Sequence, residues 1–183
     1  MTAAPSVGNQ AGDQARVTVS VAVPPGEAFR IFTEEIDQWW RRGPRFRNTR
    51  DGRGERGMLC IEPKVGGRVF ESIDTEIDGS AGMGAAAPRV IEIGQVSVWE
   101  PARRLVFSWR ASNFAPAEST EVEALFEPAP SGTRLTVTHR GWSALRADHP
   151  VRHGQEVPAF IRMMGTWWGE LLTSLREHAA SGR

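Results

Sequence analysis

PAFIRMMGTWWGELLTSLREHAA, residues 158–180, is the longest helical pattern in the chain. Phe160, Met164, Trp167, Leu171 and Leu175 recur at steps of three and four, and Met163, Trp168 and Leu172 widen the stripe. That spacing describes one apolar face of a long amphipathic helix. The segments before it read mostly as strands. One long helix that follows a run of strands needs a curved antiparallel sheet to lie on, and a sheet wrapped around a helix leaves a cleft between them.

Upstream of the helix, Gly141 to Val157 reads as a loop with short helical pieces. Before that loop, Leu135, Val137 and His139 share one strand face. Val122, Ala124 and Phe126 share another, and Leu105, Phe107 and Trp109 a third. Val90 to Trp99 is a strand whose apolar phase slips by one residue at Gly94, which predicts a bulge there. Met58 to Glu62 and Arg68 to Ile73 form a hairpin around the Pro63–Gly67 turn. At the N-terminal end, Val17, Val19, Val21 and Val23 alternate with polar residues as a half-buried strand. Pro24-Pro25 stops it and opens a pair of short helices. The order is strand, short helices, about six more strands, long helix. Short connections between the strands make the sheet antiparallel, so the class is α+β.

The chain has 183 residues, enough for one domain with a sizeable core. Residues 1–14 are expected to form a disordered arm and 15–181 a single domain. Lysine plus arginine equals aspartate plus glutamate at 22 each, which removes any overall pull toward nucleic acid. The lone Cys60 excludes an intrachain disulfide and fits a reducing, cytoplasmic setting. Neither a secretory signal nor an apolar run long enough for a membrane span is expected. The chain has seven Trp and no Tyr, so no phenolic hydroxyl is available for catalysis.

The opening VTVSVAVPPGEAFRIFTEEIDQWW, the Gly-Gly turn in KVGGRVFE, the stretch GQVSVWEPARRLVFSW and the block SGTRLTVTHRGW before the last helix together resemble the START-like, helix-grip superfamily. More narrowly they resemble its bacterial branch similar to the activator of the heat-shock-protein-90 ATPase. The resemblance implies a seven-stranded antiparallel sheet curved around the C-terminal helix, with two short helices after the first strand. It implies little chemistry, because fold does not dictate function.

Three functions fit this reading. The first is binding of a small, largely hydrophobic molecule between sheet and helix, lined by Phe70, Trp109, His139, Trp142, Met163 and Trp167. Ligand pockets are mostly apolar with a few placed polar groups. The second is a cyclase, dehydratase or hydrolase acting on a hydrophobic substrate, with His139 or Glu62 as acid/base. Against it, an inward-facing histidine is more often a core residue bonded to a neighbouring carbonyl or tryptophan. The third is a stress-response interaction module, as the chaperone-activator resemblance suggests, or a homodimer. That role needs an exposed apolar patch, for which Trp39 and Trp40 are the candidates. The blander expectation is that one of them anchors the short helices and the other lies under the following loop.

That loop, Arg41 to Arg56, holds seven arginines, three glycines and two acids. It is read as a solvated loop; the sharper alternative is a site for an anionic head group. His149 and His153 have the spacing of a helical metal pair, but Pro150 between them argues against it. No metal, dinucleotide or other cofactor motif is present.

Overall fold

The computed structural model describes residues 12–48, 55–75, 89–110 and 113–182. Strand β1 (Gln14–Val21) turns its valines inward, and the two prolines then end it. With Pro25 in its first turn, where a missing N–H costs nothing, α1 (Pro25–Glu34) begins; α2 (Ile36–Trp39) follows at once. Six strands come next: β2 (Glu55–Ile61), β3 (Arg68–Thr75), β4 (Arg89–Glu100), β5 (Arg104–Trp109), β6 (Thr120–Ala129) and β7 (Gly132–Arg140). Helix α3 (Val157–Ser181) closes the chain. The sheet order is β1-β7-β6-β5-β4-β3-β2, antiparallel at every pairing. This is the expected seven-stranded α+β fold, with a long C-terminal helix and two short helices after the first strand.

The predicted bulge is present. Val69 faces Gly94 while Phe70 faces Glu92, so Ile93 is the extra residue on β4. The β4–β5 register shifts again between Val96 and Val98. A Cβ on Gly94 would lie 1.6 Å from the carbonyl oxygen of Ser108, so glycine is required for this close approach. Two bulges in one strand bend the sheet toward the helix.

Helix α3 buries Phe160, Met164, Trp168, Leu171, Leu172, Leu175 and Ala179. The stripe is therefore centred on Trp168, while Trp167 is only half-buried at its edge. Helix α1 covers one end of the concave face. There Phe29 packs edge-on against Trp99 and Phe126, with ring centroids at 5.1 and 5.2 Å. The other end of the groove, where β5 finishes at Trp109 and β6 starts at Thr120, is left for a different set of side chains.

The expected N-terminal arm lies outside the described residues as far as residue 11. Beyond it, Asp13 is buried, and its carboxylate accepts bonds from the Ser143 backbone N–H and hydroxyl, each at 2.6 Å. The Gly/Ala-rich segment 78–88 and residues 49–54 of the Arg-rich loop also fall outside the described residues. Among the described residues, no helix is long and apolar enough to cross a membrane.

Candidate functional site

At the open end of the groove lies a cavity of about 350 Å³. The sheet contributes Trp109 and Arg110 from the end of β5 and His139 from β7. Helix α3 contributes Met164, Trp167, Trp168 and Leu171. Trp142, in a 3-10 turn just after β7, and the Pro150–His153 turn close one side. Trp40 and the segment Pro44–Asn48 close the other.

The aromatic groups are interlocked. Trp40 stacks on Trp109 at 5.6 Å and meets Trp168 edge-on at 5.5 Å. The His139 ring lies 4.4 Å from Trp142, which packs edge-on against Phe160 at 4.8 Å. Such pairs add about 0.5–1.5 kcal/mol each beyond their area burial, so the wall is rigid.

His139 is 2% exposed and bonded at both ring nitrogens. Trp168 Nε1, which can only donate, lies 3.2 Å from His139 Nδ1. Nδ1 must therefore be unprotonated, and Nε2 carries the hydrogen. Nε2 then donates to Thr120 Oγ1 at 2.8 Å, and the Thr120 hydroxyl passes its own hydrogen to the Trp109 carbonyl at 3.0 Å. This chain of donors ties α3, β7, β6 and β5 together. Burial pushes the His139 pKa down to about 3, which keeps the ring neutral. A neutral ring with both nitrogens occupied is a core histidine of the plainer kind expected above.

Glu62, the other acid/base candidate, does not line the cavity. It sits at the β2–β3 turn, where the Arg68 side chain holds it at 2.7 Å. That hydrogen bond, with help from the Arg68 backbone N–H, keeps its carboxyl below the ordinary range. The carboxylate is thus a partner of Arg68 and stands away from the groove.

Trp109, His139, Trp142 and Trp167 all line the cavity. Phe70 and Met163 do not line the cavity. Val69, Glu71 and Ile73 are the buried face of β3, so Phe70 points the other way and lies under the Arg68 guanidinium at 4.8 Å. The alternation of Val69 and Ile73 was the available signal. Met163 is replaced by Met164, because one residue turns a helix by about 100°.

The Arg-rich loop is more than a solvated loop. Arg47 has a side chain with no exposed surface. It donates to Asp37 Oδ1 at 2.7 Å, to the Asp37 carbonyl at 3.2 Å and to the Trp40 carbonyl at 3.1 Å. Asn48 donates its backbone N–H to the buried Glu71 carboxylate at 2.7 Å. Residues 44–48 are thereby strapped down as a cavity wall. Nothing in the local sequence marks Arg47 among seven arginines, since its partners come from the preceding helix. Trp39 and Trp40 take the two roles expected of them. The Trp39 indole donates to the Ile31 carbonyl within the short helices, and the Trp40 indole to the Phe46 carbonyl under the loop, each at 3.0 Å. Both are buried, so they offer no exposed apolar patch. His149 is buried against Phe114 while His153 is exposed on the cavity side of the turn.

The family model for Activator of Hsp90 ATPase homolog 1-like proteins matches residues 22–180. The chain belongs to this family. Solved structures share its fold. A protein from Rhodobacter sphaeroides is 19% identical, with 97% of this chain and 99% of that one covered and a TM-score of 0.59. One from Nitrosomonas europaea is 16% identical over 96% and 99%, with a TM-score of 0.59. The AHSA1 protein from Silicibacter pomeroyi is 20% identical over 93% and 99%, with a TM-score of 0.56. No curated protein sequence matches the chain. At these identities the solved structures share the fold with this chain.

Proposed function

We propose that this protein binds a small, largely apolar molecule in the cavity between sheet and C-terminal helix. The observation that carries this reading is the cavity itself: about 350 Å³ with four tryptophans from its lining, Trp40, Trp109, Trp142 and Trp168, locked in ring contacts. A volume of that size falls within the ~300–1,000 Å³ range of small-molecule sites. The rigid rings supply contact area without an ordering cost on binding. Trp109, His139, Trp142 and Trp167 are the residues expected to contact the ligand. A reducing, cytoplasmic setting belongs to the same reading and rests on the lone Cys60.

The test is native mass spectrometry of the protein purified from its host, followed by extraction of any bound molecule. A stoichiometric apolar ligand that is lost in Trp167→Ala supports the proposal. Trp167 is chosen because it is only half-buried, so its removal spares the core. A bare protein mass, with no thermal shift across lipids and aromatic polyketides, would overturn it.

A further inference from the structure

Among the described residues the cavity wall carries positive charge: Arg45, Arg47 and Arg110 line it, and no described aspartate or glutamate does. Two of these arginines already have carboxylate neighbours: Arg47 is paired with Asp37 at 2.7 Å, and Arg45 lies 3.8 Å from Glu170. Arg110 is different. Its Nη2 holds the carbonyls of Phe114 at 3.4 Å and Ala115 at 3.0 Å. Among the described residues its Nε and Nη1 have no hydrogen-bond partner, and it forms no ion pair. A half-buried guanidinium beside an aromatic wall gains most from a carboxylate placed against its free edge.

A buried donor next to the cavity is unmatched as well. Trp142 is 1% exposed, lines the cavity, and has an indole N–H with no hydrogen-bond partner among the described residues. Buried donors of this kind normally have an acceptor, because leaving one unmet costs free energy. Indole can only donate, so what it lacks is an oxygen or nitrogen that accepts. The nitrogen has almost no accessible surface, so it lies behind the wall, and the Arg110 guanidinium is the unmatched polar group that the cavity presents among the described residues.

We propose that the cavity's occupant is an aromatic carboxylate, with its flat body against the tryptophans and Arg110 as its counter-charge. This rests on the binding reading above and narrows it. The exposed lining residues Arg45, Asn113 and His153 mark the open side, and the Arg45 guanidinium there favours entry of an anion.

The test compares 2-naphthoate with its neutral isostere 2-naphthamide by isothermal titration calorimetry at pH 7.5. The acid is expected to bind the wild-type protein at least tenfold more tightly than the amide. Arg110→Met is expected to remove most of that difference by weakening the acid, with the amide within threefold of its wild-type affinity. Arg110→Lys, which keeps the charge, is expected to retain part of the preference, and it controls for loss of the bonds to Phe114 and Ala115. Equal or tighter binding of the amide to the wild type overturns the charge assignment while leaving the cavity reading intact. A preference that survives in Arg110→Met overturns the role of Arg110. Failure of both compounds to bind at millimolar concentration overturns the aromatic-carboxylate assignment, while the cavity reading stands or falls on the native mass measurement.

Discussion

Trp168 on α3 donates its indole N–H to Nδ1 of His139 on β7 across 3.2 Å. Both side chains are buried, so the bond fastens the helix to the sheet at the floor of the cavity and selects the histidine tautomer.

Removing that donor tests the bond. Trp168→Phe leaves Nδ1 buried without a partner, a loss of about 1–3 kcal/mol, to which the smaller ring adds a packing defect. Urea denaturation is expected to show a midpoint shift with little change in slope. An unchanged midpoint would mean the bond contributes nothing.

The same histidine makes the fold sensitive to acid. Its folded pKa is about 3, against 6.5 for the free side chain. Between those values the unfolded chain binds the extra proton and the folded one does not, so stability falls as pH falls. The contribution is complete above about pH 6.5 and shrinks by on the order of 1.4 kcal/mol for each pH unit below it. Melting temperatures measured from pH 7.5 to 4.5 are expected to decline over that window. A flat profile would contradict the buried, neutral ring.

A second acid-sensitive contact operates lower. Glu35, at the end of α1, is held 2.5 Å from His178 of α3 and pairs with Arg30. The hydrogen bond to His178, then Arg30, keeps its carboxyl below the ordinary 4.5. A depressed carboxylate stabilises the fold above the unfolded value and loses that effect as pH falls through the folded one. Glu35→Gln is expected to lower the melting temperature at pH 6 and to flatten the profile only below about pH 4.5.

Gly94→Ala tests the bulge. Its Cβ would meet the Ser108 carbonyl, which is backbone and cannot swing aside. The expected cost is about 3 kcal/mol or failure to fold, at the upper end for overpacking. Gly165→Ala is the control, because a Cβ there meets nothing within 4 Å. That helical change is expected to be neutral or to stabilise by up to about 1 kcal/mol.

Arg47→Met removes the clamp on the cavity wall. Asp37 is left with Arg42 and the Leu59 N–H, so the loss is set at about 2–3 kcal/mol, below the ~3–5 of a completely buried pair. Residues 41–48 are expected to become sites of limited proteolysis. Resistance equal to wild type would show that the strap is held by Trp40 and Asn48 alone.

Much of the architecture was legible because strands and helices write their period into the chain. The valines of β1, the phase slip at Gly94 and the apolar spacing of α3 each identify an element without knowledge of its partner. The inward faces of β5 and β7 were read correctly, and with them Trp109 and His139. Polarity alone assigns Phe70 to the inward face, because β3 carries a buried acidic residue, Glu71, on the face that polarity gives to solvent. By spacing alone Trp167 lies in the middle of the helical stripe and Trp168 at its edge, the reverse of their burial. The two differ by about 100°, and only contact with the sheet distinguishes them.

The sequence by itself determined the class of fold, the order of its elements and the presence of a cleft between sheet and final helix, because these follow from local periodicity and from glycine and proline at turns. Only the tertiary structure decided which groups meet in that cleft. The Trp168–His139–Thr120–Trp109 chain draws on four separate elements, and the Arg47 clamp on a helix ten residues away from its loop position. That Arg110 bonds two backbone carbonyls through Nη2 and pairs with no carboxylate among the described residues is likewise visible only in the folded chain. Pairing of this kind depends on distances of a few ångströms between remote residues, and no local pattern in the chain records them.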